Sequence, residues 1–122
     1  MPRKIYRIEN PKTMHGMWYD NKGNFKPTIH DLCPNSIAKD FPMGPCSDHQ
    51  KDGKIWYSAG KSKENMQYWF SKEDAKNLID NGFKLYEFEV SEWIEKEYEI
   101  LFTREGIVST TIIDYEEIWG YN

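Results

Sequence analysis

The triplet Ser-Lys-Glu occurs twice, at Ser62 and at Ser71, and it limits the fold more than any other feature of this chain. A serine at this position marks the start of a helix, because its side chain accepts a hydrogen bond from a free backbone N–H. At Ser71 the pattern predicts a capping box with Asp74, and an apolar stripe then runs to Gly82, where the helix ends. Two consecutive helices are therefore predicted, beginning near Ser62 and near Ser71.

Segments rich in β-branched and aromatic residues flank these helices and predict strands. They cover residues 5–8, 54–58, 83–90, 97–102 and 107–113, and a short helix after Asp114 can close the chain. The order is strand, long loop, strand, two helices and three strands. It predicts an α+β fold, with a small, mainly antiparallel sheet and two or three short helices. The length of 122 residues predicts a single domain, 1–122.

Charge and hydropathy exclude several classes of protein. The net charge of -4 argues against bulk nucleic-acid binding and leaves a basic protein as a partner. No apolar run is long enough to cross a membrane, and the opening MPRKIYRIEN has no apolar signal core. Two cysteines in such a chain indicate reduced thiols and a cytoplasmic location.

A histidine and cysteine pattern lies in the proline-rich stretch 27–53. His30-x-x-Cys33 is followed, after twelve residues, by Cys46-x-x-His49. Two such pairs could supply the four ligands of a tetrahedral zinc ion. The spacing is not that of a common zinc knuckle, and a proline stands beside each cysteine. We therefore predict a long, Pro-rich structured loop over the sheet without metal, and zinc remains the alternative.

Two glutamates, Glu97 and Glu99, alternate within the predicted strand 97–102. Alternate residues share one face of a strand, so their carboxylates would lie about 7 Å apart. Such a pair can divide the work of catalysis: one stabilises a developing cation while the other orients an acceptor. The alternative is a solvated acidic face, because glutamate is frequent throughout 87–99.

The sequence EYEILFTREG resembles the Glu-x-Glu strand of mono-ADP-ribosyltransferases of the Arg–Ser–Glu type. In matching order, IYRI carries Arg7 on the first strand and WYSAGKS carries Ser58 at the end of another. Ser58-Ala59-Gly60 departs from the family's Ser-Thr-Ser. The chain also resembles small uncharacterised phage proteins that open Tyr-Arg-Ile-Glu and continue to a stretch such as GMWYD, and that resemblance implies no activity.

The transferase resemblance implies an ADP-ribosyltransferase-like fold and NAD as the substrate. Cleavage of the nicotinamide–ribose bond generates an oxocarbenium-like centre, as at a glycosidic bond. The resemblance implies that Glu99 stabilises this cation against the ribose hydroxyl, that Glu97 positions the acceptor, and that Ser58 orients Glu99. The alternative for Ser58 is a helix cap.

The same resemblance implies the residues that bind NAD. Arg7 would hold a phosphate with its forked donors. Tyr57 or Phe70 could stack on nicotinamide, although both can equally belong to the core. His15 follows the first strand, where a nucleotide-binding loop would lie, and is otherwise an ordinary surface residue.

Three functions follow from these observations. The first is a small NAD-using ADP-ribosyltransferase or NAD glycohydrolase, which requires Glu99 to face Arg7 and Ser58 in a partly desolvated site. The second is a non-catalytic anti-defence module that sequesters a nucleotide ligand. The third is a protein that binds and inhibits a host or defence protein, which predicts a contiguous apolar or acidic surface.

Overall fold

The computed structural model describes residues 2–14, 49–51 and 53–120, with the backbone alone for 49–51. Seven strands and three helices lie in these ranges. The strands are β1 (Arg3–Glu9), β2 (His49–Lys51), β3 (Lys54–Ala59), β4 (Lys84–Val90), β5 (Trp93–Glu95), β6 (Ile100–Phe102) and β7 (Ile107–Ile112). The helices are α1 (Lys63–Trp69), α2 (Lys72–Asp80) and α3 (Glu116–Trp119). The predicted small α+β class is confirmed.

Both helix starts follow the serine signals. The Ser62 hydroxyl accepts from the N–H of Asn65 at 3.0 Å and begins α1. At α2 the capping box is complete, because Ser71 Oγ accepts from the N–H of Asp74 at 3.1 Å while the Asp74 carboxylate accepts from the N–H of Ser71 at 3.4 Å. Each bond satisfies a donor that the first helical turn leaves free.

The strands form two antiparallel sheets rather than the one that the sequence predicted. A three-stranded sheet has the order β1-β4-β7, and a four-stranded sheet has the order β2-β3-β6-β5. A pair of backbone hydrogen bonds connects the sheets, from the N–H of Tyr6 to the Gly60 carbonyl at 2.9 Å and from the N–H of Gly60 to the Tyr6 carbonyl at 2.7 Å. A Cβ on Gly60 would lie 2.3 Å from Sδ of the buried Met66, so a larger residue at this position would require the Met66 side chain to move.

The alternation of β1 and β4 divides the core into two clusters, one on each face of the three-stranded sheet. On one face, Tyr6, Ile8 and Leu85 pack against the helices. On the other, Ile5, Phe88 and other apolar residues pack against β3 and β6. Residues 83–90 were expected to be covered on both faces or to contain a bulge, and both occur, with the register shift between Glu89 and Val90.

The structure differs from the sequence-based expectation at three places. β2 occupies residues 49–51, which were assigned to the long loop, and β5 was not predicted. The predicted strand 97–102 begins only at Ile100, because Lys96–Glu99 forms the turn between β5 and β6 and is closed by a hydrogen bond from the Lys96 N–H to the Glu99 carbonyl at 2.8 Å. The two strands are short, and their pairing depends on partners distant in the sequence.

Candidate functional site

Arg7 lies on β1, buried between the two sheets with 3% of its surface exposed. Its Nε donates to Oε1 of Glu9 at 2.7 Å, and its Nη1 donates to the backbone carbonyl of Ser58 at 2.5 Å. The guanidinium also lies 5.6 Å from the centre of the Tyr57 ring. Arg7 is therefore held by protein groups on several sides.

A second arginine, Arg104, completes this ionic cluster. Its two terminal nitrogens donate to both Glu9 oxygens, at 2.6 Å and 3.2 Å, and Nη2 also donates to the Met14 carbonyl at 2.9 Å. Its guanidinium lies 4.6 Å from the centre of the Tyr57 ring. A forked pair of this kind orients both partners. Arg7, Glu9 and Arg104 are called the β1 ion cluster below.

Ser58 contacts Arg7 through the Ser58 backbone carbonyl. Its neighbours Tyr57 and Ala59 both face the cluster between the sheets, so alternation places the Ser58 side chain on the opposite face of β3. Ser58 is buried, and its Cα partner is Leu101 of β6. The strand therefore lies between the Ser58 hydroxyl and the Arg7 guanidinium.

Glu97 and Glu99 belong to the β5–β6 turn and have different surroundings. Glu97 is exposed, and its hydrogen bond to the Tyr98 phenol raises the pKa of that phenol. Glu99 is half-buried, and Oε1 makes no hydrogen bond within the described part of the chain. Burial raises the pKa of Glu99, and the charge of Lys96 opposes that rise in part. No hydrogen bond or ion pair joins Glu99 to Arg7 or Ser58 among the described residues.

The two aromatic candidates lie in different clusters. Phe70 is 1% exposed in the helix-side core, and its carbonyl accepts from Trp119 Nε1 at 2.8 Å. Tyr57 lies between the sheets, with its ring centre 5.8 Å from that of Phe102. Of the two, only Tyr57 contacts the β1 ion cluster.

The remaining predicted residues fall outside the described ranges. His15, His30, Cys33 and Cys46 lie outside them, and for His49 the backbone alone is described, as the first residue of β2. Within residues 2–14 and 53–120, no group of three or more potential ligand side chains could hold a metal ion. The prediction about the zinc set is therefore not tested.

The sequence analysis missed Glu9, Arg104 and the exposure of β7. Glu9 had a signal, because it stands two residues after Arg7 on the same strand and so shares its face. No sequence pattern pointed to Arg104, because it lies in the turn after β6 and contacts β1 only in the folded structure.

β7 is the second notable feature, because it forms an outer strand of the three-stranded sheet and is exposed at all but its first residue. Every residue from Val108 to Ile112 is exposed, and within the described chain no strand pairs with its outer edge. Val108 and Ile112 expose 56% and 58% of their surfaces. The sequence IVSTTI contains no charge and no proline. Edge strands that avoid association usually carry one of these.

Comparison with known proteins places the chain among phage proteins. Residues 1–116 match the family described as Bacteriophage T4 Y00F protein. No curated protein and no solved structure matches the chain, so no structural relative supports the ADP-ribosyltransferase-like fold. In the described part of the chain, no helix has the length and apolar character needed to cross a membrane. The match confirms the resemblance to small phage proteins, and the chain belongs to the Bacteriophage T4 Y00F protein family.

Proposed function

We propose that this phage-family protein acts by binding another protein, of the host or of its defence systems, through the outer edge of β7. The observation that carries the proposal is the exposed, uncharged and β-branched strand at Ile107–Ile112. The free N–H and C=O groups of such an edge can pair with an extended segment of a second chain. The main-chain bonds supply affinity without a catalytic group.

The β1 ion cluster argues against Arg7 as a ligand for the phosphates of NAD. The Arg7 guanidinium is engaged by Glu9 and by the Ser58 carbonyl, so a phosphate would have to displace existing partners. Breaking a buried, hydrogen-bonded ion pair is costly, because it leaves an uncompensated charge. The cluster is well suited to a structural role that holds β1 against β3.

A photo-crosslinker placed at Ile112 tests the proposal. Cells infected by a phage that encodes the protein should yield a discrete protein adduct. Thr110→Pro should abolish that adduct, because proline removes a backbone N–H from the strand. A crosslinker at exposed Glu73 on α2 is the matched control. An adduct that persists in Thr110→Pro, or none at Ile112, would contradict binding at this edge.

A catalytic role is the second candidate, and Glu99 is the observation that favours it. A half-buried carboxyl with a raised pKa and one oxygen without a hydrogen-bond partner among the described residues has the properties of an acid–base group. Under this proposal the protein cleaves the nicotinamide–ribose bond of NAD, as an ADP-ribosyltransferase or NAD glycohydrolase.

Nicotinamide release from NAD, with host lysate present as a source of acceptor, tests the catalytic candidate. Wild type should release nicotinamide and Glu99→Gln should not. If both proteins, or neither, release nicotinamide, this role for Glu99 is excluded. Exposed Glu97, two residues away, supplies the control Glu97→Gln, which should impair transfer to an acceptor more than cleavage itself.

A further inference from the structure

The hydrogen-bonding phase of β7 defines which of its backbone groups point outward. The N–H of Ile113 donates to the Leu85 carbonyl of β4 at 3.0 Å. In an antiparallel pair the direction of these groups alternates along the strand. The backbone groups of Thr111 and Ser109 therefore point toward β4, and those of Thr110 and Ile112 point outward.

One face of β7 adjoins negative charge. In the sheet register Thr111 is opposite Glu87 and Ser109 is opposite Glu89, so these four residues share a face. Serine and threonine are small and leave the glutamates within reach of a neighbouring chain. Glu87 accepts a hydrogen bond from the Tyr6 phenol at 3.1 Å, and on the side away from β7 its carboxylate lies 3.9 Å from Lys4 Nζ. Burial, this bond and nearby acidic charges together raise the pKa of Tyr6 to about 12.

The other face of β7 adjoins two aromatic side chains of β4. Ile112 is opposite Tyr86, and Thr110 is opposite Phe88. The rings of Tyr86 and Phe88 are stacked, with their centres 5.4 Å apart. Strands lie about 4.8 Å apart, so an added strand beside β7 would be about 10 Å from β4. Its side chains would contact Ile112 on this face and could reach Glu87 and Glu89 on the other.

We propose that the segment bound by β7 is an extended strand in which basic and apolar residues alternate. Its basic side chains lie beside Ser109 and Thr111, on the face that carries the two glutamates. Its apolar side chains lie beside Thr110 and Ile112, on the opposite face. This inference rests on the proposed function and names the chemistry of the partner. Charge complementarity supplies register and specificity, while the main chain supplies affinity.

A second copy of the chain fits this surface less well. Antiparallel pairing of two β7 strands in one continuous sheet places equivalent faces side by side. The Glu87 and Glu89 rows of the two copies would then share one face of the joined sheet. The two β4 strands would be about 15 Å apart, and the second copy would bring uncharged Ser109 and Thr111 rather than basic side chains toward Glu87 and Glu89, while the net charge of -4 on each copy opposes association.

A peptide of alternating lysine and valine is the probe, with alternating glutamate and valine as its control. Fluorescence anisotropy of the labelled peptides should show binding of the lysine peptide and a much weaker response from the glutamate peptide. Glu87→Gln combined with Glu89→Gln should weaken the lysine peptide about fivefold, because each exposed ion pair contributes about 0.5 kcal/mol. Added salt should reduce the difference between wild type and this variant.

Thr110→Pro should abolish binding of the lysine peptide, and circular dichroism should show that the variant remains folded. If both peptides bind equally and both depend on Thr110, the predicted partner chemistry is wrong while pairing at the β7 edge stands. Binding that is unaffected by both variants overturns the inference, as does no binding by either peptide. Concentration-dependent self-association lost in Thr110→Pro would identify a second copy as the occupant instead. The crosslinking experiment at Ile112 tests the proposed function independently of all these results.

Discussion

The two outer strands of one sheet, β1 and β7, differ sharply in how their surfaces are covered. From Ile5 to Glu9 every residue of β1 is buried, whereas five of the six residues of β7 are exposed. β1 is joined to the second sheet at Tyr6 and anchored by its ion cluster. β7 has strong β propensity but no covering element among the described residues. Burial, rather than strand propensity, therefore distinguishes a structural edge from one available to a partner.

Glu9→Gln should have the largest effect, because it removes the carboxylate shared by Arg7 and Arg104 while keeping the size of the side chain. Breaking a buried ion pair by removing one partner costs about 3–5 kcal/mol. Urea unfolding should show this loss. Glu89→Gln, on β4 near β7, is the control and should cost less than about 1 kcal/mol. A comparable loss of unfolding free energy in both variants would show that the β1 ion cluster stabilises the fold no more than a partly exposed glutamate does.

Ile5 and Ile112 form a matched pair on the two strands. Ile5 is fully buried and Ile112 is 58% exposed. Ile5→Ala should lower the free energy of unfolding by about 2–5 kcal/mol, through lost burial and the cavity left behind. Ile112→Ala should change it by no more than about 0.5 kcal/mol. Thermal or chemical denaturation of both variants measures the difference, and a loss above 2 kcal/mol at Ile112 would show that β7 is covered.

Proline substitutions at Thr110 and Thr111 test which backbone groups of β7 point away from β4. Thr111→Pro removes an N–H that bonds β4 and leaves its acceptor unmatched, at a cost of about 1–3 kcal/mol. Thr110→Pro removes an outward N–H and should cost less. Chemical denaturation should rank the two variants in this order. The reverse order would mean that the hydrogen-bonding phase of β7 is opposite to that described.

Glu99→Gln should have the smallest effect on the free energy of unfolding, and that effect should depend on pH. Its raised pKa means that the folded protein holds this proton more tightly than the unfolded chain does. The associated stability is present below the ordinary pKa of glutamate and is lost as the pH rises through the raised value. Glu99→Gln does not titrate, so wild type should lose stability relative to this variant as the pH rises from below the ordinary pKa of glutamate through the raised value. A constant difference in unfolding free energy across that interval would show that the pKa is not raised.

Local signals in the sequence predicted the elements more successfully than their arrangement. The cap at Ser71 depends on residues within one helical turn, and it was identified with its capping-box partner. Coverage of both faces of β4 was also readable from its alternation of apolar residues. The pairing of β1 with β4 brings together residues far apart in the chain, and no local pattern specifies it.

The candidate site was harder to predict for the same reason. Arg7 and Ser58 do meet, but through a backbone carbonyl that no motif reports. Glu97 and Glu99 were expected to share a face, and a turn separates their environments instead. The sequence pattern predicted which side chains share a face within the regular strands. It did not do so in the turn at Lys96–Glu99, where the backbone changes direction.

The two hydrogen bonds between Tyr6 and Gly60 have a consequence for cooperativity. They make β1 a member of both sheets, so opening β1 would separate the sheets and expose both halves of the core at once. Among the described residues, unfolding of either sheet at β1 should therefore disrupt the other. The amide protons of these two residues should therefore exchange with solvent only through global unfolding, and with the same free energy.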